Sequence, residues 1–466
     1  MEELPQDRLA TIDARGKRVY LYPAVVHGVW KSRKKIVHAI LLLVFLLLPW
    51  IYVNGRQALL LDVSERSFSI FGLFLRGHDA PLLFFLLIGF ALSIAFVTAI
   101  WGRVWCGWAC PQTVFIESIF RRLETWIEGN SRTRKALDEA PWSFEKIMKK
   151  TLKWGAFLAV SLLITHSFLA YFVGSHKILQ MILRAPSENW ASFLVILFTT
   201  GIILLDFGWF REQFCVIMCP YGRFQSVLLD DDSIVVGYDV KRGEPRRGEV
   251  AAGAKQGDCV NCLRCVQVCP TGIDIRRGVQ LECIACTACI DACDEVMSTI
   301  KKPKGLIRYT SENSLRGLAT RWMRGRTYVY LSLLSVVGIV FIGLLSQQQS
   351  VEISILRAKE APYQTLPQAD GSRIIVNHLI ADFSNQSSDN NFMDLRLTDL
   401  DKAAGIELVM PIHPLAMAPH EQHRTDFFLR FTSSDLKFGT RKIELDVFRN
   451  NQILTKEELS LVGPSQ

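Results

Sequence analysis

The sequence predicts an α-helical membrane protein of about five transmembrane helices, with a small cysteine-rich insert and a C-terminal immunoglobulin-like β-sandwich. Three observations lead there. Half of the 466 residues are hydrophobic, the mean hydropathy is positive, and the apolar residues are gathered into uncharged segments. Every one of the twelve cysteines precedes the last of those segments. Beyond it, the composition turns to short alternating runs separated by Gly, Pro, Asn and Ser.

The uncharged segments are Ile36 to Gly55, Pro81 to Gly102, Trp154 to His176, Asn189 to Leu205 and Thr327 to Gln347. Each approaches the ~20 residues that cross a hydrocarbon core at 1.5 Å per residue, allowing for tilt. Lys and Arg number eight in residues 1–35 and ten in 103–153, against three in 54–80 and two in 177–188. That alternation predicts a cytoplasmic N-terminus by the positive-inside rule. The expected layout is a cytoplasmic tail at 1–35 and four spans within 36–210, joined by a cytoplasmic interfacial loop at 103–153. A cytoplasmic insert follows at 211–326, then a fifth span at 327–347 and an outer, periplasmic domain at 351–466. A 35-residue tail precedes the first span and no small-x-small site follows it, so it does not read as a cleaved signal. The net charge of +8 belongs to these flanks and reads as lipid contact; no basic patch interleaved with aromatics suggests nucleic acid.

Just past the second and fourth spans stand WCGWACP (105–111) and FCVIMCP (214–220), a repeated C-x3-C-P pattern preceded by Arg103 and Arg211. Cys106 and Cys110, like Cys215 and Cys219, fall on one face of a helix if it persists. The prolines predict a fresh helix start after Cys110 and Cys219, where the dipole favours thiolate. The helix after Pro111 is expected at the interface, with Phe115, Ile116, Ile119, Phe120, Leu123, Trp126 and Ile127 on its apolar side. Four soft thiolates suit Cu(I) or a redox disulfide, whereas a single pair would read as packing residues.

The insert carries CVNCLRCVQVCP (259–270) and CIACTACIDAC (283–293), two C-x2-C-x2-C-x3-C runs. Three thiolates from one tight loop cap a cubane while the fourth points away; in two-cluster ferredoxins that fourth cysteine ligates the other cluster. A two-cluster ferredoxin-like domain is therefore expected at about 250–305. Cys259, Cys262, Cys265 and Cys293 are assigned to one 4Fe-4S cluster, and Cys283, Cys286, Cys289 and Cys269 to the second. Zinc is the rival for C-x2-C pairs, but the doubled four-cysteine run argues against it. The preceding stretch 241–258 reads as loop.

Histidines in the spans, His38 and His166, are expected at different depths, which argues against shared haem ligation. In the outer domain, strands are expected at 351–355, 373–383, 392–397, 405–410, 425–431 and 442–448. Met410, His413, Met417, His420 and His423 could handle copper, but the interleaved prolines predict an inter-strand loop instead.

The combination resembles the cytochrome c oxidase accessory protein family of CcoG/FixG type. The resemblance is carried by LPWIYVNGRQALLLDVSERSFSIFG (48–72), WCGWACPQ (105–112), FCVIMCPYGRFQS (214–226), the two ferredoxin runs, CDEVMSTIKKPKGLIRY (293–309) and the outer sandwich. It implies a multi-pass protein of the bacterial inner membrane that reduces Cu(II) to Cu(I) for assembly of a cbb-type oxidase. It also implies two 4Fe-4S clusters, with Cys106, Cys110, Cys215 and Cys219 at the copper. The implied partners are a cytoplasmic electron donor, a copper-exporting ATPase or copper chaperone, and oxidase assembly factors. Two other readings compete: a quinol dehydrogenase, since membrane proteins of nitrate respiration share the spans and motifs, and a redox-sensing scaffold without turnover.

Overall fold

The computed structural model describes residues 11–464 except 13–14, 16, 54, 65, 76–78, 249–255, 348–350, 359–360, 368–372, 386, 388, 420, 433–435 and 437. The chain forms two units, residues 1–343 and 344–466.

In the first unit, α1 spans Val29–Leu47 and α2 spans Ala80–Trp101. A short α3 (Val104–Trp108) is followed by α4 (Pro111–Phe115), a π-helical turn Ile116–Phe120 and α5 (Arg121–Glu128). Next come α6 (Ser131–Glu139), the 30-residue α7 (Phe144–Val173), α8 (Ser175–Leu183) and α9 (Trp190–Leu205). Two π-helical turns, Asp206–Phe210 and Phe214–Met218, lead into α10 (Pro220–Leu228). A last apolar helix covers Gly325–Ser346.

Among the described residues, four helices are long and apolar enough to cross a membrane: Ala80–Trp101, Phe144–Val173, Trp190–Phe210 and Gly325–Ser346. The first expected span differs. Its helix starts seven residues earlier and ends at Leu47, and Tyr52–Val53 already pairs as a strand with Arg56–Gln57. The first two turns of α1 carry Lys31, Arg33, Lys34 and Lys35, so the uncharged remainder covers only about 18 Å at 1.5 Å per residue. Its end nonetheless meets the end of α7: the Tyr171 hydroxyl donates to the Phe45 carbonyl (2.8 Å). The segment after it forms a three-stranded antiparallel sheet of Leu59–Asp62, Ser67–Ile70 and Leu73–Leu75. Gln57 fastens this region to the end of α7, donating to Ala170 O and accepting from Ser175 N.

The helix after Pro111 packs its apolar side on the bundle. Phe115, Ile116 and Phe120 are buried against Phe157 and Phe207 in the bundle core. A π turn inserts an extra residue and rotates the helix beyond it. On α5, Glu124 and Glu128 therefore point inward, 1% and 4% exposed, while Trp126 is 89% exposed. The buried acids are matched by cations from neighbouring elements. Glu124 pairs with Arg134 and Arg211, and Glu128 with Lys150 and Lys153. Such pairing is what allows a charge to be buried at all.

The cysteine-rich region folds on an antiparallel pair, Val235–Tyr238 with Ile307–Thr310, and on helices Arg264–Gln267 and Ala288–Thr299. Val240–Gly243, within the expected loop 241–258, is a short helix, and 249–255 lie outside the described residues. The second unit is a sandwich of two antiparallel sheets. One orders Glu407–Val409, Gln422–Thr432, Arg373–Asn385 and Val351–Arg357, with Gln364–Pro367 on Arg373–Asn385; the other orders Leu415–Met417, Asn391–Leu397, Thr440–Arg449 and Gln452–Val462. Alternate residues such as Leu379, Phe383, Phe427, Leu445 and Leu461 fill the space between, as expected of half-buried strands. The Gln452–Val462 strand departs from the sequence pattern; its run of Thr, Lys and Glu hides the alternation.

Candidate metal centres

The two ferredoxin runs share an unusual backbone. Asn261 and Leu263 in the first, and Ala285 and Thr287 in the second, all have positive φ (54°, 56°, 52° and 65°). Non-glycine residues rarely adopt this region, and its recurrence at matched positions curls each spacer around its cysteines.

Each run wraps one small cavity. One is bordered by Cys259, Cys262, Cys265 and Cys293, the other by Cys269, Cys283, Cys286 and Cys289, with Cys265 also at its edge. Four cysteines at each suit two like occupants. The remaining walls are mostly apolar, including Val296, Met297, Leu306 and Ile307 around one and Val236, Ile273, Ile275 and Ile284 around the other. Burial pushes Cys265, Cys283 and Cys293 up to about 12. Such sulfurs become thiolates only beside positive charge, which a metal centre supplies. Among the described residues no three His, Cys, Asp or Glu are spaced for a single metal ion, the four membrane-edge thiols included.

The two C-x3-C-P motifs meet through an exchange of partners between the halves of the bundle. Gln112, just after the first proline, donates to Asp206 Oδ1 at the end of α9 (2.9 Å). Tyr221, just after the second, bonds Thr98 at the end of α2 (2.6 Å). The arginines cross in the same way. Arg103 donates to Gly222 O on α10 (2.7 Å), and Arg211 forms a two-point ion pair with Glu124 on α5 (2.9 and 3.0 Å). This reciprocity brings Cys106, Cys110, Cys215 and Cys219 into one another's electrostatic range. A Cβ on Gly222 would lie 2.7 Å from Cys215 O, so glycine is required for α10 to pack there.

Cys110 and Cys219 stand at helix starts with extended backbone, as expected. At Cys110 the expected thiolate character is not found. Burial, then Cys110, pushes Cys106 up to about 12. Burial also raises Cys215 and Cys110, despite the backbone N–H groups of Gln112 and Thr113 facing the latter. Desolvation outweighs the helix dipole here. Gln225 lies 3.7 Å from Cys106 Sγ; with its carbonyl oxygen turned to Arg103, its amide N–H faces the sulfur.

The loop that carries Cys106 touches the ferredoxin domain at one of its two cavities. Arg103 reaches Cys283 O (3.4 Å), Gly107 packs on the carbonyls of Ile284 and Ala285, and Tyr309 links Trp108 to Ala285 O through hydrogen bonds of 3.0 and 3.1 Å. The other cavity faces away, and its Cys262 is exposed. A carboxylate on the ferredoxin helix, Asp291, accepts from the N–H groups of Trp30 and Lys31 at the start of α1. Gln225, Trp108, Tyr309 and Asp291 lie inside the motif stretches, but spacing alone assigns them no role, and Arg103 carries only its position before the first cysteine pair.

Other sequence candidates lie elsewhere. His38 is buried and bonds Ser118 (2.7 Å), and His166 bonds the Leu162 carbonyl of its own helix. Met410 and Met417 are sandwich core, Leu415–Met417 is a strand, and His413 is exposed; His420 lies outside the described residues.

Residues 210–312 match a family described as a 4Fe-4S dicluster domain, residues 82–134 a 4Fe-4S binding domain, and residues 341–464 the IG-like fold at the C-terminal of FixG. The chain is 36% identical over 371 residues to protein RdxA of Cereibacter sphaeroides, covering 76% of this chain and 77% of that protein. RdxB of the same organism is 36% identical over 374 residues, with the same coverage. The nitrogen fixation protein FixG of Rhizobium meliloti is 38% identical over 306 residues, covering 63% of this chain and 58% of that protein.

Proposed function

The chain belongs to the CcoG/FixG-type family of membrane iron-sulfur redox proteins, and from that premise we propose that it reduces Cu(II) to Cu(I) for assembly of a cbb-type oxidase. The contact of the Cys106 loop with the turn that carries Cys283 and Cys286 is the observation that supports this reading most directly. Two 4Fe-4S clusters supply one-electron storage when bound. Cys259, Cys262, Cys265 and Cys293 would hold the outer one, and Cys269, Cys283, Cys286 and Cys289 the one beside the membrane thiols.

The thiols do the rest. Cu(II) arriving at Cys106, Cys110, Cys215 and Cys219 displaces their protons, takes one electron, and is retained as Cu(I) by soft sulfur ligands. Arg103, a buried cation between Cys106 and Cys283, holds the two loops in register and offsets the charge of the thiolates as they form. We place the N-terminus and the iron-sulfur insert in the cytoplasm and the sandwich outside, counting α1 as a fifth crossing. Its cationic start supports that topology. Copper would then pass to an exporting ATPase or chaperone.

Changing Cys215 and Cys219 to Ser tests the reading: iron per chain should stay unchanged while cupric reduction by the pre-reduced protein is lost. A second reading draws on the match of residues 82–134, which hold only Cys106 and Cys110, to a 4Fe-4S binding domain. In it the four thiols hold a further cluster, and the same double substitution would lower the iron.

A further inference from the structure

A cavity in the membrane unit lies against the same cluster loop, on a side the copper reading does not use. It measures ≈ 790 Å³, between the segment Pro23–Lys31, the helix Glu117–Trp126 and the loop of Pro270, Cys286 and Ala288. That is the size of a small-molecule site. One wall is an apolar ramp of Ile119, Leu123 and the exposed Trp126, faced by Val25. Glu117 at its floor is neutralised by Lys31 and Lys34. Beside Glu117, Ser118 lines the cavity and bonds Nδ1 of His38 (2.7 Å). His38 is 2% exposed, and its Nε2 has no partner among the described residues.

We propose that this cavity is the electron entry site and takes the headgroup of a membrane quinol. The inference concerns where electrons come from, and rests on the reading above only for where they go. Three features converge on that ligand. The apolar ramp beside the spans suits an isoprenoid tail, and a cluster-ligand loop at the far end offers an electron acceptor. A hydroxyl backed by a buried imidazole offers a proton acceptor, which a phospholipid would not require. The balance closes within the protein. The quinol becomes quinone, losing two electrons and two protons. One electron goes to each of the two one-electron clusters. With the ring proton of His38 on Nε2, one quinol proton passes to Ser118 Oγ as Ser118 hands its own to His38 Nδ1, and the second goes to water at the cavity mouth near His27.

The test uses the full-length, cluster-loaded protein in nanodiscs of zwitterionic lipid, with decyl-quinone and decyl-quinol as probes. Val25→Trp, at a half-exposed position, fills the cavity without touching the bundle core and should raise the Kd for decyl-quinone about tenfold or more. Ser118→Ala should hold that Kd within about threefold. It should also slow the anoxic bleaching of cluster absorbance by decyl-quinol about tenfold or more. Reduction by dithionite should be normal in both variants. Failure of decyl-quinol to reduce wild-type clusters that dithionite reduces would overturn the proposal, as would a Kd unmoved by Val25→Trp. So would loss of quinone binding once anionic phospholipid is added, which would make the cavity a lipid site. Cupric reduction by dithionite-reduced protein is scored in parallel, so the copper reading can stand or fall separately.

Discussion

A Cβ on Gly107 would sit 2.6 Å from the carbonyl oxygen of Ala285, so the loop of Cys106 and the turn of Cys286 touch only because residue 107 has no side chain. Gly107→Ala must push the two apart by a fraction of an ångström. The expected result is unchanged iron and a slower reduction of Cu(II), since the electron must cross a widened contact. Stopped-flow reoxidation of the pre-reduced clusters measures it, and a wild-type rate in this variant would mean that electrons leave by another route.

The crossed ligand sets predict a specific pattern in double substitutions. Cys259→Ser with Cys293→Ser touches one cavity only and should leave about half the iron. Cys259→Ser with Cys269→Ser touches both and should remove nearly all. Iron analysis with low-temperature spin resonance distinguishes the two, and the reverse pattern would mean that each run serves its own cluster.

Glu124 links α5 to Arg134, Arg211 and Lys153 in the interior. Burial alone would raise its carboxyl, but Arg211 and then Arg134 overcome this and hold it at about 2. A depressed carboxylate contributes stability that is full above its unfolded value near 4.3 and is lost as pH falls toward 2. Glu124→Gln strands Arg211 without its counter-charge and should cost about 3–5 kcal/mol at pH 7. The gap in thermal stability between the variant and wild type should narrow as the pH is taken below about 4.5. A gap independent of pH would argue that packing, and not charge, is what the substitution removes.

The Met/His stretch of the sandwich should prove structural. Met417→Ala should lower the stability of residues 344–466 by about 2–5 kcal/mol, as for other buried large-to-small changes. His413→Ala should leave both stability and cupric reduction unchanged. A fall in reduction rate with His413→Ala would bring this loop into copper handling after all.

Much of this architecture was legible because it rests on local pattern. Hydropathy marked the last four apolar helices, period-two alternation marked six of the sandwich strands, and the spacing of eight cysteines paired each run with the last cysteine of the other. Where neighbouring features interfere, the pattern misled. The cations of α1 lie inside its helix and shorten the apolar part. The π turn at Ile116–Phe120 shifts the face that α5 presents to the core, so Trp126, expected on the apolar side, turns outward while Glu124 turns inward.

From its residues alone, the chain determined which cysteines are grouped, which segments are apolar and that a repeat exists, since these depend on spacings of a few residues. Only the tertiary structure decided that the two halves exchange partners through Gln112 with Asp206 and Tyr221 with Thr98, and that the Cys283–Cys289 cavity is the one facing the membrane thiols. Those choices depend on contacts between residues far apart in the chain. Their energies come from burial and pairing in three dimensions and leave no periodic trace along the sequence.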